Sequence, residues 1–150
     1  MPDEKPPRLS TDERDTLRTM LQFQRDSLVR KVTGVPAEAA SSSPVASGTT
    51  LLWLVQHLAG AELVWIVHRF AGLDPEPPPE SATLDAAISA YRDAWARVDT
   101  IVDTAGLEDT CRIGEPANLR WVLTHLLAET ARHAGHADIL RELIDGQTGR

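Results

Sequence analysis

The chain has 150 residues, 42% of them hydrophobic and 25% charged, with a formal net charge of -7. That length suits one domain with its own core, and the acidic balance argues against a nucleic-acid partner, because neutralising phosphates needs a basic face. One cysteine, Cys111, excludes an internal disulfide and any multi-cysteine metal site, and fits a reducing cytoplasm.

The opening MPDEKPPRLS is rich in proline and charge. It predicts a disordered tail over 1–9 ahead of a single helical domain, 10–150, with neither a signal core nor a transit pattern. A first helix is expected from Thr11 to Thr33, capped by Ser10 or Thr11, with Asp12 and Glu13 in its first turn and Gly34 as its stop. Leu17, Leu21, Leu28 and Val32 form its apolar stripe, with Met20 alongside. Residues 35–50 read as a Ser/Ala/Pro loop that ends in a Thr cap.

The second helix, Leu51 to Ala71, is apolar nearly all round and should be the most buried element. Gln56, His57, Glu62, His68 and Arg69 argue against its spanning a membrane. Gly72 and DPEPPPE end it and form a stiff crossing. The third helix, Leu84 to Thr104, spaces Leu84, Ile88, Tyr91, Trp95, Val98 and Val102 as a bundle seam. Asn118 caps the fourth, which runs to Ile144 and stops at Gly146. No strand-like alternation competes, so the fold class is all-α, a four-helix bundle.

The candidate chemistry sits on the second and fourth helices. Four residues of α-helix turn about 400°, so Glu129 and His133 leave the same face one turn apart. A carboxylate oxygen and an imidazole nitrogen stacked that way can share a divalent cation, and His57 is the candidate third ligand. With His125 at zero on a helical wheel, Glu129 falls at about 40°, His133 at about 80° and His136 at about 20°. Val122, Leu126, Ala137 and Leu140 lie between about 60° and about 120°, so Glu129 borders the core-facing arc. A carboxylate there needs a compensating cation, which a metal or an arginine can supply. An edge salt bridge and a hydrogen-bonded core histidine remain the alternative on pattern alone.

His125 and His136 lie on the same stripe as candidate outer partners or proton carriers. Arg141, two turns beyond His133, either holds an anionic cofactor or substrate or pairs with Glu142 or Asp138. Glu62, about 140° from His57 on the wheel, is a poor co-ligand. Trp53, Trp65, Trp95 and Trp121 are expected in the core, with Trp53 and Trp65 flanking the His57 face.

The segments WLVQHLAGAELVW and LRWVLTHLLAETARHAGHADILRELIDG resemble the second and fourth helices of the DinB/YfiT-like superfamily. The resemblance implies an up-down-down-up bundle with a divalent metal on His57, Glu129 and His133. The Glu variant is similar to the mycothiol-dependent maleylpyruvate isomerase branch. Gly135-His136 stands where many members carry Gly-Gln, which makes His136 an outer group or extra ligand.

Two nitrogens and a carboxylate suit zinc, with nickel, iron or manganese also compatible. The resemblance further implies a low-molecular-weight thiol such as mycothiol or bacillithiol, an electrophilic small-molecule partner, and S-transfer or isomerisation in the cytoplasm. A homodimer is compatible with the superfamily, and neither nucleic acid nor membrane is expected. The competing readings are a metal-stabilised or metal-sensing bundle that self-associates, and a helical interaction module that binds no metal.

Overall fold

Each long helix starts where a side-chain oxygen accepts from an otherwise unpaired backbone N–H. The computed structural model describes residues 3–149 and shows α1 (Glu13–Val32), a short α2 (Ala37–Ser41), α3 (Leu51–Glu62) continuing as a π-helix over Leu63–Phe70, α4 (Leu84–Thr104) and α5 (Leu119–Asp145). Thr50, Thr83 and Asn118 cap α3, α4 and α5, and Gly146 ends α5 with φ 76°. Asp12, rather than Ser10 or Thr11, caps α1: its carboxylate accepts from Asp15 N, because a carboxylate complements the helix N-terminus better than a hydroxyl.

Ion pairs and ring contacts fix the topology. Glu13 meets Arg120 at the starts of α1 and α5, and Arg141 donates to the carbonyls of Lys31 and Thr33 at their ends, so these helices are parallel. Arg18 reaches Asp103 and Arg25 reaches Asp99, so α4 runs against α1. His57 faces Glu129 while Trp65 faces Trp121, so α3 runs against α5. The order is up-down-down-up.

Two consecutive helices pointing the same way require a return crossing. The stretch 71–83 can extend roughly 40 Å at the polyproline rise, enough to retrace a helix of roughly 30 Å. It is held at both ends: Arg97 donates to the carbonyls of Asp74 and Pro75, and Gln56 Nε2 donates to Ser81 O at 2.8 Å.

The core is one cluster drawn from every long helix, with Leu28, Leu54, Leu58, Ile66, Tyr91, Val98, Leu126 and Leu140 fully buried. The seam expected on α4 is buried except at Trp95, which is half-buried. The second helix is not buried all round: its window over Leu51–Phe70 is long and apolar enough to cross a membrane, and 50% of it is packed inside the bundle. Trp53 and Trp121 also depart from expectation, at 47% and 48% exposed. Each occupies the first turn of its helix and donates its backbone N–H to the capping residue. Leu51 and Leu119 in the same first turns are fully buried, so the two indoles sit on the outward side of their helices.

Two further elements escape the sequence pattern. Residues 37–41 form α2 inside the expected loop. From Leu63 the second helix widens into a π-helix, marked by Ala71 N donating to Ile66 O at 2.9 Å. In the tail, Glu4 pairs with Arg30 of α1 at 3.1 Å. Residues 1 and 2 of the expected tail, and Arg150, lie outside the described residues.

Candidate metal centre

Antiparallel packing of α3 and α5 brings the second turn of one helix to the middle of the other. Nε2 of His57 stands 3.0 Å from Glu129 Oε1, and Nε2 of His133 stands 3.2 Å from the same oxygen. One ligand atom from each of the three residues falls within a sphere of mutual separations no larger than 4.8 Å. Tetrahedral zinc with bonds of 2.0–2.2 Å sets its donors roughly 3.3 Å apart, which is the spacing seen around Glu129. The donor set therefore fits a divalent cation in both chemistry and scale.

The rings are held by packing. Trp53 stacks on His57 at 4.7 Å between centroids and 10° between planes. His133 stands edge-on to His57 at 4.8 Å and 83°. The side chains are 33% (His57), 27% (Glu129) and 15% (His133) exposed, so the cluster is half-buried with one side open. The hydrogen bond to His57 and the charges of both histidines hold the Glu129 carboxyl below its ordinary value against a smaller opposing effect of burial. Burial lowers the His133 pKa, and the charge of His57 adds to that, outweighing the pull of Glu129. Both shifts favour an ionised carboxylate beside a neutral imidazole, the protonation state that metal ligation requires.

A cavity of about 310 Å³ opens beside His57, between Trp53, Gln56 and Gly60 of α3 and the proline wall Pro77–Pro79 of the crossing. Sequence reasoning missed this wall as a functional element. The signal available was the run of three prolines, whose fixed φ makes a rigid surface.

The remaining expected residues separate from the triad. His136 lies 6.4 Å from His133 between ring centroids, outside the donor cluster. His125 stacks on Trp121 at 5.0 Å and 7° and also packs on Trp65 at 4.7 Å. Arg141 is a correction: it is 3% exposed, with Nε bonded to Asp145 at 2.8 Å and Nη1 to the end of α1, so it fastens two helices rather than facing a cofactor. Glu62 is fully buried against Arg25, with Nε–Oε1 at 2.9 Å and Nη2–Oε2 at 2.5 Å. Cys111 is half-buried, and burial raises its thiol pKa, which makes it a poor nucleophile.

The family model described as mycothiol-S-transferase matches residues 16–146. No curated protein sequence matches at a significant level. The crystal structure of a conserved protein of a locus from Enterococcus faecalis superposes with a TM-score of 0.71 at 15% identity, covering 92% of this chain and all of that one, a likeness of fold alone.

Proposed function

Since the chain belongs to the mycothiol-S-transferase family, a DinB/YfiT-like family, we propose that it is a metal-dependent transferase that joins a low-molecular-weight thiol, mycothiol first, to an electrophile. The observation that carries this reading is the single Glu129 oxygen shared by two imidazoles from facing helices, beside a solvent-accessible cavity. We assign His57, Glu129 and His133 as ligands of a divalent cation, zinc before nickel, iron or manganese, because two nitrogens and a carboxylate suit it. Such a cation lowers the pKa of a thiol at its open positions, so that a sulfur nucleophile exists at neutral pH.

The chain's own residues supply binding and order. Trp53 fixes the plane of the His57 ring and presents its other surface to the cavity. Pro77–Pro79, Ala87 and Ala90 form the wall facing His57 across the cavity, and the Gln56–Ser81 bond holds that wall to α3. In the transfer, sulfur forms the new bond to carbon, the thiol proton leaves to solvent, and any leaving group departs with its electron pair.

Cys111, with its raised pKa, offers no rival nucleophile, and its free thiol suits the reducing cytoplasm we assign to the protein. The experiment is turnover of mycothiol with a chromogenic aryl halide, read by product mass. Zinc-loaded protein is expected to form the thioether; equal rates with and without protein contradict the reading.

A further inference from the structure

The seam between α3 and α5 carries the same arrangement twice. Trp53 stacks on His57 at one end, and Trp121 stacks on His125 at the other, each pair four residues apart on its own helix. The first pair belongs to the metal centre. The second has no part in it, and beside it lies a cavity of about 500 Å³ lined by Trp65, Arg69, Glu115, Asn118 and Trp121.

Three features of that cavity point to a ligand. Trp121 leaves 48% of its surface exposed at the cavity, tilted against Trp65 at 5.4 Å. The Arg69 guanidinium rests on the Trp65 ring at 4.4 Å. Among the described residues neither Arg69 nor Glu115 enters an ion pair, although both charges border the same space. Flat indole faces edged by unpaired hydrogen-bonding groups of both signs suit a polyol ring. Its C–H face lies on the aromatic surface while its hydroxyls reach the rim as donors and acceptors.

Position completes the argument. Eight residues separate His57 from Trp65, and eight separate His133 from His125, so the two ends stand roughly 12 Å apart at 1.5 Å per residue. Mycothiol is a cysteine derivative carried on two six-membered polyol rings, and its sulfur and far ring are separated by a similar reach. We propose that the Trp65–Trp121 cavity with Arg69 and Glu115 is the subsite for the sugar part of the thiol, placed so that the sulfur arrives at His57, Glu129 and His133. This rests on the transferase reading above. The π-helix contributes because Trp65 and Arg69 both lie within it, one wide turn apart, which sets the guanidinium over the ring.

The test is calorimetric titration of zinc-loaded, full-length protein with S-methyl mycothiol, a probe that cannot react. Parent is compared with Trp121→Ala and Arg69→Ala, each checked for an unchanged melting temperature. Trp121→Ala is expected to weaken binding about tenfold, or 1.4 kcal/mol, and Arg69→Ala to weaken it less. Turnover supplies the second arm: the parent's preference for mycothiol over N-acetylcysteine, which has no rings, should narrow in both variants.

Loss of ring-dependent binding in the variants, with no transfer by the parent, upholds the subsite and overturns the transferase reading. Transfer by the parent with equal affinity for S-methyl mycothiol in all three proteins overturns the subsite alone. Failure of the parent to bind the probe overturns the subsite whatever the transfer assay shows.

Discussion

Two glutamates on facing sides of the same bundle meet opposite fates. Glu62 is sealed in the core with its carboxylate gripped at both oxygens by Arg25, which Asp99 and Gln22 also hold. Burial pushes the Glu62 carboxyl upward and the arginine's charge and hydrogen bonds pull it back, so the negative charge has a full partner inside the chain. Glu129 is 27% exposed, and among the described residues its carboxylate pairs with two imidazoles, one of which burial shifts toward the neutral form. Its charge is left for an incoming cation. A carboxylate gripped by a guanidinium is a structural element; one held by two imidazoles at ligand spacing on an open side has the form of a binding site.

The comparison breaks most sharply at Glu62. Glu62→Ala leaves a buried guanidinium without its partner and should cost about 3–5 kcal/mol in urea unfolding. The folded fraction should still carry its metal. Replacing Arg25 and Glu62 together by apolar residues of similar volume should recover most of that loss. A double variant no more stable than the single would contradict the account of the pair.

At the other glutamate the effect depends on metal. His133→Ala should abolish the rise in melting temperature produced by zinc, which at a hundredfold excess over Kd corresponds to about 2.7 kcal/mol. The Glu62→Ala protein should keep that rise. Trp53→Ala, which removes one ring from His57, should cost about 1 kcal/mol of stability and raise KM for the electrophile more than it lowers kcat. An effect confined to stability would remove Trp53 from the site.

The smallest effect is on pH. The His133 pKa is lowered from the ordinary 6.5, chiefly by burial, so the unfolded chain takes up this proton at a higher pH than the folded one. Stability from the neutral ring is therefore present above 6.5 and is lost as pH falls below it. Glu129, lowered from 4.5 first by its bond to His57, contributes stability above that value and loses it as pH falls through the folded value. Metal retention measured by dialysis between pH 8 and pH 4 should hold at 6.5 and fail only below it. Release centred above 6.5 would contradict the pairing described for these groups.

Local signals explain what the sequence disclosed. Caps at Thr50, Thr83 and Asn118, stops at Gly34, Gly72 and Gly146, and the four-residue spacing of Glu129 and His133 are all written within a few positions of each other. The meeting of His57 with that pair depends on antiparallel packing across 72 residues, which the family resemblance supplied and periodicity did not. Arg25 and Glu62 are 37 residues apart on different helices, and a helical wheel reveals only that Glu62 points away from His57. Trp53 and Trp121 each line a cavity on the open side of the bundle, where hydrophobicity alone argues for burial. The π-helix has no composition signal in LVWIVHRF that separates it from an ordinary apolar helix.

The central claim is that Glu129 and its two histidines hold a metal while Glu62 holds an arginine. The most direct measurement is elemental analysis of protein purified without a metal-affinity tag, for the parent, His133→Ala and Glu62→Ala. The account predicts close to one equivalent of a divalent transition metal in the parent and in folded Glu62→Ala, and its loss in His133→Ala. A parent without metal, or a His133→Ala protein that retains it, would contradict the account.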